Sequence, residues 1–318
     1  MTRARAAPDP LCGALAVVLG VSVLCLAVPA AAETRPATTD SVWTWKRGAS
    51  LGIVGTTYLT AWGLVSAVWW THGGNDFALR DEGSFGLGTY AGGADKLGHV
   101  YANYVSIRLY TNVLEWGGFS RKESLVSATV LTAVFFTAVE LKDGYQPRYG
   151  FSIGDMVANL SGEGAALGLA LVPGLGEAVS FKLMYSPSRD FRRAVAAGGP
   201  LNMPEDYTGQ TYLVALHLAA LPFAKGELNA LRYLDISLGY GTRGYEPTPA
   251  PSSSVRQLSS FGLSLNLQSL FDDLLDGPAG SRTTGSAIVH FGNEIYQPPY
   301  TRLPLLTYER TGPPRSAD

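Results

Sequence analysis

The sequence predicts an α+β fold, with an N-terminal apolar four-helix bundle followed by a small antiparallel β-rich region. Three observations predict it. Long uncharged runs, Leu51 to Trp70 and Leu125 to Val139, fill much of residues 47–190. Beyond about residue 200 the apolar spacing drops from helical to every second residue. A short Pro-containing stretch, Pro200 to Pro204, lies between the two regimes.

The N-terminus predicts export. Arg3 and Arg5 precede an apolar run from Leu11 to Val28, which ends in Pro29-Ala30-Ala31-Ala32. A basic start, an apolar middle and small residues before a cleavage point make a secretory signal, assigned to residues 1–32. Cys25 invites a lipid anchor, but Leu24 stands before it where a small residue is expected, so lipidation is not predicted. Cys12 and Cys25 are the two cysteines of the chain and both lie in the signal, so the mature protein has no disulfide or thiol chemistry. The whole chain carries 24 Lys+Arg and 26 Asp+Glu. Cleavage removes two Arg and one Asp, which makes the balance one unit more negative and gives no reason to expect nucleic acid. Charged residues are 16% of the chain and mean hydropathy is +0.10, which leans towards membrane contact.

Residues 33–46 read as a linker. A first helix covers Leu51 to Trp70, long enough to cross a hydrocarbon core, with Trp62, Trp69 and Trp70 suited to an interface. Residues 71–92 read as loop. A second helix fits Asp95 to Trp116. A third fits Arg121 to Leu141, with Ser120 as N-cap and Glu123 three residues on. A fourth follows Ser152 as N-cap and runs through Gly162, Gly164 and Gly168 towards Pro173, its small residues suited to close helix contact. Helix is expected from about 50 to 185. Residues 200–310 form the β-rich region and 311–318 a tail. Leu234 to Tyr240 and Ser260 to Leu267 alternate as strands, with Thr211 to His217 and Ala287 to Phe291 as weaker candidates. Pro247 to Ser254 reads as loop. About four strands are too few to close a membrane barrel, so a sheet covered on one face is expected.

The most informative residues are polar ones inside apolar helices. Asp95, His99 and Asn103 stand at i, i+4 and i+8 and share one helix stripe. Glu140 closes the run Phe135-Phe136-Thr137-Ala138-Val139. Asp155 and Asn159 are again i, i+4, with Glu163 one turn on. Buried carboxylates without a partner cost roughly 3–5 kcal/mol, so Lys96, His99 and Arg148 are the expected partners. Three chemistries fit the cluster Asp95, Lys96, His99, Glu140, Asp155 and Asn159. It can be a hydrogen-bonded network that fixes helix register. It can be a divalent metal site built from His99, Glu140 and Asp155. It can be an acid–base centre in which Glu140 or Asp155 works with His99. Ser152 suits a cap better than a nucleophile. No GxSxG, P-loop or dinucleotide motif occurs, and no cofactor beyond a divalent metal is expected. His72, His217 and His290 read as structural.

These residues also carry a resemblance. Asp95-Lys96-Leu97-Gly98-His99, Glu140-Leu141-Lys142-Asp143-Gly144 and the run Phe151 to Gly162 resemble the domain of unknown function 2279 family. Their order is also similar to the VanZ-like membrane family. Further on, Asp206-Tyr207-Thr208-Gly209-Gln210-Thr211-Tyr212 and Leu238-Gly239-Tyr240-Gly241 resemble motifs of longer members of the first family, so the likeness covers about residues 50–270. The resemblance implies an envelope location and a helical core, and no established reaction. The resulting expectation is an exported, periplasmic or membrane-associated protein with a structural or lipid-interacting role. Its expected partners are membrane lipid or an envelope protein, with homo-oligomer formation through the β-rich region. The alternative is a hydrolase or transferase acting on a lipid-linked or cell-wall substrate.

Overall fold

The computed structural model describes residues 44–70, 76–199, 201–225, 228–245, 254–275 and 283–313. The signal segment, most of the linker, His72 and most of the Pro/Ser loop lie outside the described residues. The fold is α+β, as the sequence predicts. Four long helices precede the sheet: α1 (Trp45–Val68), α2 (Ala94–Trp116), α3 (Arg121–Asp143) and α4 (Ile153–Leu171). Each boundary has a local cause. Thr44 caps α1. Ser120 and Glu123 make the reciprocal capping box of α3. The Ser152 side chain accepts from the Asp155 backbone N–H and starts α4. Before α2 the chain passes through three left-handed residues, Ala91, Gly92 and Gly93. A Cβ at Gly93 would stand 2.3 Å from the Phe85 ring, so this tight turn favours glycine for space as well as for φ.

α2 is the central element. Its Tyr104, Ile107, Tyr110 and Leu114 pack with Val54 of α1, Leu125 and Ala128 of α3, and Ala166 of α4. Close approach of α4 is concentrated at Gly162, where a Cβ would lie 2.3 Å from the Val100 carbonyl oxygen. Gly164 and Gly168 face open space, so of the three small residues expected to allow close packing only Gly162 does so.

Five strands form one antiparallel meander in chain order: β1 (Val179–Tyr185), β2 (Gln210–His217), β3 (Leu234–Arg243), β4 (Val255–Leu265) and β5 (Arg302–Gly312). Between them lie α5 (Arg189–Ala196), α6 (Leu267–Leu275) and α7 (Thr284–Ile295). Three expectations are corrected here. Ala287 to Phe291 is helix within α7, because a five-residue apolar run fits either period. Residues 179–185, expected to end the helical region, are strand β1. The strand expected over Ser260 to Leu267 stops at Leu265, and Leu267 opens α6.

The register puts Phe181, Val214, Leu238, Phe261 and Leu306 in one row across the sheet. α2 covers one end of this apolar face, through ring contacts of Tyr101 and Tyr104 with Phe181. Val214, Leu238, Phe261 and Leu306 stay exposed. The opposite face holds Ser180, Lys182, His217, Asp235, Ser237 and Ser264, all buried. There the Lys182 ammonium and the His217 ring both pair with Asp235. The sheet thus buries its polar face more completely than its apolar one.

Candidate functional site

The first turns of α2 and α4 and the last turn of α3 converge. α2 supplies Asp95, Lys96, His99 and Asn103, α3 supplies Glu140, and α4 supplies Asp155 and Asn159. All but His99 are buried, and His99 is nearly so. Asp95 and Asp155 each stand in the first turn of a helix, where the helix dipole favours a carboxylate.

Lys96 holds the carboxylates together. Its Nζ lies 2.9 Å from Glu82 Oε2, 2.9 Å from Asp95 Oδ2 and 2.6 Å from Asp155 Oδ1. Tyr207, from the segment before β2, donates its hydroxyl to Asp95 Oδ1 at 2.9 Å. Burial opposes the charge on Lys96, but the Asp95, Asp155 and Glu82 carboxylates outweigh it and hold the ammonium above its ordinary value. Burial likewise pulls the His99 imidazole down, and Asp155, Asp95 and Glu140 together lift it to about 9.

A chain of hydrogen bonds fixes the His99 ring. Asn103 Nδ2 donates to the His99 backbone carbonyl at 2.9 Å, which sets the Asn103 amide. The same Nδ2 donates to Asn159 Oδ1 at 2.7 Å, which sets the Asn159 amide. Asn159 Oδ1 lies 3.0 Å from His99 Nδ1, so that nitrogen carries a proton and donates. His99 Nε2 is left facing Asp155 Oδ1 at 3.6 Å and Asp95 Oδ1 at 3.8 Å. Both distances exceed a hydrogen bond. Asn159 Nδ2 and Asn103 Oδ1 are buried without a hydrogen-bond partner among the described residues.

Asp95, Lys96, His99, Glu140, Asp155 and Asn159 therefore stand together. Within the metal-ligand trio read from sequence, Glu140 is placed differently from the other two. Its Oε1 approaches His99 Nδ1, at 3.5 Å, the nitrogen already tied to Asn159. Among the described residues, the trio with ligand atoms within 4.8 Å of one another is Asp95, His99 and Asp155. Arg148 does not join the cluster as expected. It pairs with Glu205 at 3.1 Å, because the loop after α3 carries it towards the segment before β2. His217 and His290 bind Asp235 and Asp272, and both line a separate polar cleft of about 570 Å³. Two contributors escaped the sequence reading. Tyr207 sits inside the Asp206 to Tyr212 motif, which was the available signal. Glu82 lies in a Gly-rich loop and had none.

Chemically, the arrangement can serve as a charge-balanced network, accept a cation at Nε2, or pass a proton between imidazole and carboxylate. Residues 81–170 match the model of domain of unknown function 2279, described as a predicted periplasmic lipoprotein. That stretch is narrower than the 50–270 suggested by sequence, yet it contains every cluster side chain named above except Tyr207. No curated protein and no solved structure gives a significant match to the chain.

Proposed function

We propose that the chain is an exported cell-envelope protein that associates with the membrane and has a structural or lipid-interacting role. The observation that carries this reading is an inverted distribution of polarity. Val126, Val130 and Val134 form an exposed stripe on α3, and Ile153, Val157, Leu160 and Leu171 form another on α4. α1 and α3 are long and apolar enough to cross a membrane, and only 6% and 33% of their apolar windows are buried. Ser50, Asn103, Ser124, Thr132 and Glu140 of helices α1, α2 and α3 point the other way and are buried. Solvated apolar stripes of this kind mark contact surfaces, and polar groups gathered inside helices suit a lipid surround. An open apolar groove of about 590 Å³ on the sheet, lined by Leu97, Phe181, Leu238 and Phe261 among others, has the chemistry to take an acyl chain. The export signal and the family description both support an envelope location. The exposed β5 edge is the surface offered to an envelope partner or a second copy.

Membrane fractionation tests the reading. The expected result is a mature protein that stays in alkaline-washed membranes and leaves them only with detergent. Release by osmotic shock as a soluble monomer would overturn it. The second reading, a hydrolase or transferase on a lipid-linked or cell-wall substrate, is favoured by one observation: the fixed His99 ring with Nε2 turned to two carboxylates. It expects His99→Ala and Glu140→Gln to abolish complementation while folded protein persists. Retained complementation in both would remove it.

A further inference from the structure

We propose that Asp95 Oδ1, His99 Nε2 and Asp155 Oδ1 bind one divalent transition-metal ion of the zinc kind, with a fourth position left open. Geometry is the first support. Metal–ligand distances near 2.0–2.2 Å put tetrahedral ligands about 3.3–3.5 Å apart. The Nε2–oxygen distances of 3.6 and 3.8 Å are too long for hydrogen bonds and a few tenths of an ångström from that spacing.

The hydrogen-bond chain is the second support. Because Nδ1 donates to Asn159 Oδ1, the lone pair of a neutral His99 falls on Nε2 and points at two carboxylate oxygens. A lone pair facing two anions calls for a cation between them: the ring's own proton when no ion is bound, and the metal ion once it displaces that proton. An outer partner that fixes the ring through its other nitrogen is the usual support of a metal-ligating histidine.

Charge is the third support. Glu82, Asp95 and Asp155 surround one ammonium, that of Lys96, which leaves two negative charges; the His99 proton meets one of them, and a divalent ion that displaces this proton meets both. Asn159 supplies an independent sign of a ligand. Its side chain is 2% exposed, its oxygen is on the His99 ring, and its Nδ2 has no partner among the described residues. A buried N–H beside the His99 ring with no acceptor calls for one from outside the described residues. The imidazole among the ligands favours zinc and its transition-metal neighbours over magnesium and calcium. Glu140 is not a ligand in this set, since it approaches the other ring nitrogen.

The proposal goes beyond membrane association and does not depend on it, because the same measurements run on detergent-solubilised or soluble protein. Mature protein is stripped with EDTA, equilibrated with Zn²⁺ and assayed by elemental analysis. About one Zn²⁺ per chain is expected. His99→Gln and Asp155→Asn should each weaken binding at least tenfold, and Glu115→Gln, at the far end of α2 where Glu115 pairs with Arg121, should leave it unchanged. Less than a fifth of an ion per chain, or full binding in the His99→Gln, Asp155→Asn double variant, would overturn the proposal. If those variants do not fold, a Co²⁺ titration of the unaltered protein decides. Intense visible bands of a four-coordinate site support it, and a weak six-coordinate spectrum overturns it.

Discussion

At the scale of single residues, Lys96 decides whether the cluster is tolerable. It is buried and meets Glu82, Asp95 and Asp155 within 2.9 Å. Lys96→Met keeps the length of the stem and removes the charge, so three buried carboxylates lose their common partner. The expected loss is roughly 3–5 kcal/mol, read as a lowered unfolding midpoint. A midpoint unchanged from the parent would show that the lysine is not what holds the carboxylates. The residues legible in the sequence are those set by helix geometry alone. Asp95, His99 and Asn103 had to share a stripe once α2 was a helix, and Asp155 and Asn159 likewise on α4. Glu82 was not legible, and Tyr207 only through its motif, because a loop and a 3₁₀ turn carry no period and tertiary packing brings them to the cluster. Arg148 failed for the same reason: the expectation placed a charge, and the loop's path chose Glu205 for it.

At the scale of elements, caps and small-residue contacts explain most of what was read correctly. The Ser120–Glu123 box and the Ser152 cap fix α3 and α4 where sequence placed them. The errors lie where period is ambiguous. β1 alternates as Val179, Phe181, Leu183 against Ser180 and Lys182, but it follows α4 closely, past Pro173-Gly174 and Glu177, and its seven residues are too short to stand apart from the helical region before it. β5 contains Pro304, Glu309 and Arg310, an edge-strand composition that hides a strand. A paired substitution tests the packing of α4 on α2. Gly162→Ala drives a methyl against the Val100 carbonyl and is expected to cost about 1–3 kcal/mol. Gly164→Ala meets open space two residues on and is expected to gain about 0.5–1 kcal/mol from helix propensity. Equal effects on the thermal midpoint would mean that α4 does not approach α2 at Gly162.

At the scale of the whole molecule, α2 joins the helices to the sheet, so a buried tyrosine on each side of that joint, Tyr104 of α2 and Tyr212 of β2, reports on it. Tyr104 and Tyr212 are buried, and burial pushes both phenols above their ordinary value. The sign follows from which form the fold prefers. The neutral phenol is favoured when folded, so its contribution is complete below the unfolded value of about 10 and is lost as pH rises beyond it. Thermal stability should stay level up to about pH 9 and then fall, with the last tyrosinate absorbance appearing together with loss of helix. Complete tyrosine ionisation before any loss of helix would contradict the placement of Tyr104 and Tyr212.

The same scale holds the strongest test of what surrounds the protein. The valines Val130, Val134 and Val157 are exposed and lie outside the buried core, so polar replacements there should spare the polar cluster and the Tyr104 core. Val130→Lys with Val134→Lys puts two ammonium groups on the α3 stripe, and Val157→Lys puts one on α4. In water such changes at exposed positions alter stability by no more than about 0.5 kcal/mol. In a hydrocarbon core each costs about 2.5–3.5 kcal/mol on insertion scales. If α3 and α4 lie against lipid, the triple variant should therefore fail to accumulate in alkaline-washed membranes, whereas Arg189→Ser at the exposed start of α5 should not matter. If instead the apolar stripes are only a solvated surface, the triple variant should be as abundant and as folded as the parent in every fraction, and the inverted polarity would have to be explained by a protein partner.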